Sequence, residues 1–368
     1  MNLFDHTNMQ VLMGASFLGI AAGILGVFII LKKQSLVGDM ASHTVLPGIT
    51  LLYVILHLLE QNEWLKIKNI DLRFFVILWF GSLISSFIAL FLVDMIKKYS
   101  KIKIDTILSL ILASFFGLGN VMISVAQRHI EDNQIAVLDK FILGQIALMK
   151  RIDVITVLFV AIITILIIFL LWKELKIFIF DPEFTKSMGF NTKWLTFILN
   201  TLLIFVIVVS LKITGIILTS AFLIIPGVIA RQWSDKLSKN VLIASIVIFL
   251  STFIGIIVNN LASEKLQLHN LPTGPIIIVI ASIFCLFSLF FGSKHGFVKK
   301  NIQIKKYKNQ IKKYKQLIHL YHNKDTSESY EFDMFLLSEK YIILENKKPQ
   351  ITQKGKELVE KLIDGMLI

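Results

Sequence analysis

An aspartate and a histidine stand four residues apart in VGDMASHTVLPGI, residues 37–49, inside a strongly apolar stretch of chain. On a helix, positions i and i+4 share a face and lie about 6 Å apart along the axis. Asp39 and His43 would then offer a carboxylate oxygen and a ring nitrogen to one small ion. Pro47 follows His43 by four residues, so its missing N–H frees the His43 carbonyl, and with Gly48 it predicts a helix break. Carboxylate plus imidazole suits a first-row dication such as Mn, Fe or Zn, whereas an all-oxygen shell would suit Mg or Ca. A quieter arrangement fits the same spacing: Asp39 capping a helix near the membrane interface, with His43 a satisfied interfacial residue. Against it stands the cost of ionisable groups within a bilayer, about 2.5–3.5 kcal/mol each near its centre, which keeps them out of spans that do not use them.

The elements that must position this pair are membrane helices. The chain is 55% hydrophobic over 368 residues, with a mean hydropathy of +0.74. Its apolar residues fall in blocks of roughly 17–25, enough to cross a hydrocarbon core of about 30 Å. Spans are expected near 10–31, 37–59, 73–94, 104–126, 152–172, 194–212, 214–230, 240–260 and 273–292, the split at LKITG being the least distinct. The fold class is therefore an all-α polytopic membrane protein of about eight or nine transmembrane helices, with a small cytosolic α+β domain at its C-terminus. No Lys or Arg precedes the first apolar run, so a cleaved signal peptide is not expected and the first span should be retained. The segment 127–151 is too polar to span and too apolar for an ordinary loop.

The net charge of +13 is organised by the spans. With the N-terminus outside, the inner turns (Lys32–Lys33, 97–103, 172–193 and 231–239) hold 13 basic residues against nine on the outer side. Nucleic-acid binding is not expected from charge arranged in this way. The lone Cys285 lies in an apolar run and excludes both an intrachain disulfide and a cysteine metal cluster. There is no GxxxxGK[ST] loop, hence no ATPase of its own. His57 falls about 40° round the helix from His43 and could line the same path, although an interfacial place suits it better. Asn200, Asn259 and Asn260 read as interhelical hydrogen-bonders.

The run LGIAAGILGVFIILKKQSLVGDMASHTVLPGI resembles the opening of the metal-type ABC permeases, the class that imports manganese, zinc or ferrous iron. Gly38, Asp39, Ser42, His43, Leu46, Pro47 and Gly48 match that family's pattern. FDPEFTKSMGFN (180–191) is similar to its cytosolic coupling loop, TGIILTSAFLIIPGVIAR (214–231) to its glycine-to-proline helix, and LPTGP (271–275) to the turn before its last span. The resemblance implies that Asp39 and His43 are the metal ligands. It assigns ATPase coupling to Asp181, Pro182, Glu183, Phe184, Met188 and Gly189. It also implies a separate ABC ATPase subunit, an extracytoplasmic metal-binding protein and a second permease subunit, alike or related. The chain would be a multi-pass subunit of the plasma (inner) membrane and not itself an enzyme; no cofactor is held permanently, and the divalent metal is cargo. Two rivals share parts of this plan: a permease for siderophore- or cobalamin-type chelates, and an ion-coupled secondary carrier.

Composition changes after Gly292, dividing a permease domain (1–293) from a basic helix and small domain (294–368). SEKYIILENKKPQITQKGKELVEKLIDG (338–365) reads strand, turn, strand, helix, and resembles the wing and following helix of winged-helix metal-dependent repressors. One helix of a full helix-turn-helix is missing, which argues against DNA binding. A basic helix on anionic membrane lipid with a small docking module comes first, regulation through the ATPase second, and a DNA-binding regulator third.

Overall fold

Among the described residues, nine helical segments are long and apolar enough to cross a membrane. The computed structural model describes residues 6–61, 76–129, 149–265, 273–322, 334–345 and 348–364. The chain divides into two compact units, residues 1–296 and 297–368.

In the first unit, α1 (His6–Leu31) and α2 (Leu36–Gln61) are followed by a π-helical turn, Ile77–Gly81, that runs straight into α3 (Ser82–Tyr99). Then come α4 (Ile104–His129), α5 (Arg151–Leu170), the short α6 (Trp172–Phe180) and α7 (Pro182–Ser187), α8 (Thr192–Trp233), α9 (Leu237–Lys265) and α10 (Thr273–Phe291). Of the ambiguous segment 127–151, residues 127–129 complete α4 and 149–151 lead into α5; the remainder lies outside the described residues.

α1 is the hub, packed on α8, α9 and α5. Lipid tails are as apolar as leucine, so such helices associate by close backbone approach and interhelical hydrogen bonds. Ala15, Ala21 and Ala22 supply small buried faces on α1, and a Cβ on Gly26 would collide with the Leu223 carbonyl of α8. Asn259 of α9 donates to the Thr273 hydroxyl of α10 (2.9 Å), the interhelical role expected of it.

Two features of the spans depend on their surroundings. α2 does not break at Pro47 and Gly48 but continues to Gln61, contrary to the reading from its sequence. A proline removes one donor, and within a bundle neighbouring hydroxyls support the carbonyls around it. Here the Ser85 hydroxyl of α3 donates to the Thr44 carbonyl, and Thr50 donates to the Leu46 carbonyl (2.9 Å). Gly48 serves packing: any Cβ there would run into the Gly81 carbonyl where α2 crosses the π-helical turn.

α8, at 42 residues, would be about 63 Å long if straight, twice the hydrocarbon thickness. It divides at Gly215, whose φ of 74° is left-handed backbone that favours glycine, so the two expected spans meet within LKITG. Thr214 and Thr219 staple the corner: their hydroxyls lie 3.0 Å apart, and Thr219 also donates to the Gly215 carbonyl (2.7 Å).

The second unit contains α11 (Phe297–Lys313), α12 (Lys315–His322), α13 (Met334–Ser338), the antiparallel strands β1 (Ile342–Glu345) and β2 (Lys348–Ile351), and α14 (Gln353–Asp364). Leu317, Leu336, Ile342 and Val359 form its core. The strand–strand–helix order is the expected one. Thr352 accounts for the Thr-x-x-Gly run: its hydroxyl accepts from the Gly355 N–H (3.2 Å) at the start of α14 and donates to the Lys340 carbonyl (2.8 Å). No residue of α11 is buried.

Candidate metal site

Asp39 lies in the first turn of α2, and His43 one turn further on. Their side chains meet as the spacing predicts, His43 Nε2 lying 3.4 Å from Asp39 Oδ1. Side-chain exposures of 23% for His43 and 31% for Asp39 leave both groups partly open. Asp39 is not the helix cap that the quieter reading required, because α2 begins three residues earlier at Leu36.

A third residue completes the arrangement. The Ser220 hydroxyl of α8 donates to Asp39 Oδ1 (3.0 Å). Ser220 follows the Gly215 corner by five residues, so the kink in α8 sets where its hydroxyl falls. On the other side the ring of Phe116, from α4, stands edge-on to His43 with centroids 4.9 Å apart. The His43 Nδ1 is buried without a hydrogen-bond partner, and among the described residues no Lys or Arg pairs with Asp39.

That charge balance decides the chemistry. A carboxylate within a span, with an imidazole beside it and no Lys or Arg among the described residues to neutralise it, is suited to a small dication. No third His, Cys, Asp or Glu joins the pair among the described residues, so one chain supplies two donors. The freed His43 carbonyl is not the third, because helix carbonyls point toward the C-terminus whereas side chains lean toward the N-terminus. His57 stacks on Tyr53, with centroids 6.5 Å apart.

The 181–191 loop forms a compact exposed knob. Asp181 caps α7, its Oδ1 accepting the Phe184 N–H (2.9 Å), and Pro182 fills the first helical position, where no N–H is needed. The chain leaves through Gly189 with φ of 86°, and Asn191 then caps α8 by accepting the Lys193 N–H (3.0 Å). Phe184 and Met188 point outward from the knob, each about half exposed.

Known proteins share this plan. The model of the ABC 3 transport family matches residues 5–292. The chain belongs to the ABC 3 transport family. Among similar relatives, the zinc transport system membrane protein TroC of Treponema pallidum is 33% identical over 297 residues, 80% of this chain and 93% of that one. The manganese transport system membrane protein MntC of Bacillus subtilis is 30% identical over 318 residues, 86% of this chain and 68% of that one. The structure of PsaBC from Streptococcus pneumoniae in complex with Fab aligns with a TM-score of 0.64 at 28% identity, covering 81% of this chain and 96% of that one.

Within this ABC 3 family chain, the Asp39–His43–Ser220 cluster and the capped 181–191 knob both fall in the matched region. The alignment with the Bacillus subtilis relative is longer than that region and so runs on into the C-terminal unit. Ser220 went unnoticed in the sequence. It sits in a Thr-Ser pair inside an apolar helix, 181 residues from its partner, with no local pattern to mark it.

Proposed function

We propose that this chain is the membrane-spanning permease subunit of an ABC importer for divalent transition metal ions. The observation that carries the reading is the uncompensated Asp39–His43 pair inside a span of an ABC 3 family member. The ion, Mn, Zn or Fe, rests briefly between the Asp39 carboxylate and the His43 imidazole. Ser220 fixes the carboxylate rotamer, so that one oxygen faces the imidazole and the other remains available.

Two permease subunits, alike or related, enclose the path. A separate ABC ATPase docks on the exposed knob from Pro182 to Gly189 and drives the change of access. An extracytoplasmic metal-binding protein delivers the ion to the other face. Manganese and zinc are favoured by what similar permeases are named for.

The second unit is an accessory cytosolic domain, with a hairpin and helix of winged-helix type and a basic α11 suited to anionic membrane lipid. Its exposed Phe297, Val298, Ile302 and Ile304 alternate with lysines, as in helices that lie on a membrane surface.

The test is radiometal uptake with competition among Mn, Zn and Fe. Asp39→Asn and His43→Ala should each reduce accumulation to background while the protein remains folded and ATPase-bound. Unchanged uptake in both variants removes the site assignment. Scrambling residues 181–191 should release a co-purifying ATPase; an ATPase that never co-purifies favours the ion-coupled carrier instead.

A further inference from the structure

A cavity of about 1380 Å³ opens in the first unit where three of the lysine-rich turns come together. Lys32 and Lys33 from the α1–α2 turn, Lys97 and Lys98 from the end of α3, Lys186 within the knob and Lys193 just after it all line it. Among the described lining residues, Asp94 is the sole carboxylate. A rim with six cations and one anion repels a dication, so this cleft is not the exit of a metal path.

The cleft has a second, apolar part. Phe87 of α3 stacks on Phe197 of α8 (centroids 6.1 Å), and Phe197 stacks on Trp194 (5.7 Å), forming an aromatic wall between the two helices. Phe91, one turn from Phe87 on α3, lines the same wall and is 66% exposed. Phe87 lies 12 residues before Tyr99, the end of its span, or about 18 Å along the helix. Phe197, stacked on Phe87, lies five residues inside its own span, which begins at Thr192, so the cavity runs from a cationic mouth to an aromatic floor set within the first turns of the spans. An acyl chain suits such an apolar floor, whereas a soluble anion would contact the mouth alone.

We propose that this cleft binds an anionic phospholipid of the same leaflet, its phosphate held by Lys32, Lys97 and Lys193 and an acyl chain laid along Phe87, Phe91 and Phe197. Lysine is a compact phosphate donor, and inner-leaflet anionic lipids are the phosphate esters that carry such chains. The electrostatics fit: burial, with Lys97 adding to it and Asp94 opposing it, pulls the Lys32 ammonium down to about 8. A bound phosphate would relieve that strain. Lys32 also stands 5.1 Å from the Phe178 ring centroid, which holds the ammonium at the wall.

The experiment uses the full chain, reconstituted with phosphatidylglycerol or phosphatidylcholine and examined by native mass spectrometry. Phosphatidylglycerol should be retained and phosphatidylcholine lost. Lys97→Gln and Lys193→Gln, both exposed and neutral to the fold, should each reduce retention about fivefold, and Lys→Arg at either position should preserve it. Phe197→Ala should reduce retention with the rim intact, and millimolar inorganic phosphate should not displace the lipid. Equal retention of both lipids, or glutamine variants that behave as wild type, overturns the proposal. Displacement by inorganic phosphate with Phe197→Ala silent assigns the rim to a free anion and overturns it too. So does loss of a co-purifying ATPase in the glutamine variants with retention unchanged, which would make the cleft a protein-docking face.

Discussion

Among the described residues of the membrane unit, the same two side-chain types meet twice, in opposite settings. Asp39 and His43 pair inside a span, partly buried, with a serine hydroxyl as their further partner. Asp235 and His295 pair outside the spans at 3.0 Å, each about half exposed, with Arg231 at 3.6 Å and Lys294 at 3.9 Å from the same carboxylate. The outer carboxylate is surrounded by cations and water, and a dication would have to displace both. The inner one is less exposed and, among the described residues, has no Lys or Arg beside it. An Asp–His pair is therefore not in itself a metal site; the surrounding charge balance is what suits the inner pair, and not the other, to the proposed role.

Placing a cation beside the inner pair should abolish the difference. Ser220→Lys puts an ammonium where the hydroxyl now meets Asp39, and metal uptake should fall to background. Ser220→Met, of similar length but neutral, should retain a measurable fraction of uptake, which separates charge from bulk. Equal uptake by the two variants would show that charge balance is not the deciding property.

Removing the hydroxyl alone is milder. Ser220→Ala leaves both donors but frees the carboxylate rotamer, and loss of such an outer partner weakens metal binding about 10- to 100-fold. The half-saturating metal concentration should rise by at least the lower figure with the thermal midpoint unchanged. A variant that transports with wild-type affinity would show that α2 alone orients the carboxylate.

Asp181 is a useful control, a carboxylate that binds backbone instead of histidine. Asp181→Ala removes an N-cap contribution of about 1 kcal/mol, so the Phe184 amide should exchange about fivefold faster. Metal affinity should be unaffected, and a change in it would tie the knob to the inner pair more directly than packing suggests.

How legible these sites were in the sequence follows the same division between local and distant causes. The knob is local: Asp181, Pro182 and Gly189 each act within a few residues, and their types state their roles. The spans are legible because length and hydropathy alone select them, and the Asp39–His43 contact because one helical turn connects the two. Ser220 is not, because tertiary packing across 181 residues brings it to Asp39. The expected break at Pro47 failed for the same reason: the Ser85 hydroxyl that supports the neighbouring carbonyl belongs to another helix. The π-helical turn at Ile77–Gly81 is likewise a product of packing, at the point where Gly81 meets Gly48.

The smallest effect is expected at the outer pair. The hydrogen bond from His295 chiefly holds the Asp235 carboxyl below its ordinary range, with Arg231 and Lys294 adding to it. A carboxyl so depressed contributes stability above the ordinary carboxylate range and loses it as pH falls through the lowered value. Above the ordinary carboxylate range Asp235 stays ionised, and its own titration adds no further pH dependence. Solvent screens a pair this exposed, so Asp235→Asn should lower the thermal midpoint at pH 7 by at most about 2 °C and leave metal uptake intact. The difference between variant and wild type should begin to narrow as pH falls below about 4 and should close once pH passes below the lowered carboxyl value, where both carry a neutral group at 235. If the variant instead lost uptake at pH 7, the clasp between the α8–α9 turn and the end of α10 would have to move during transport, and the two pairs would differ in position rather than in kind.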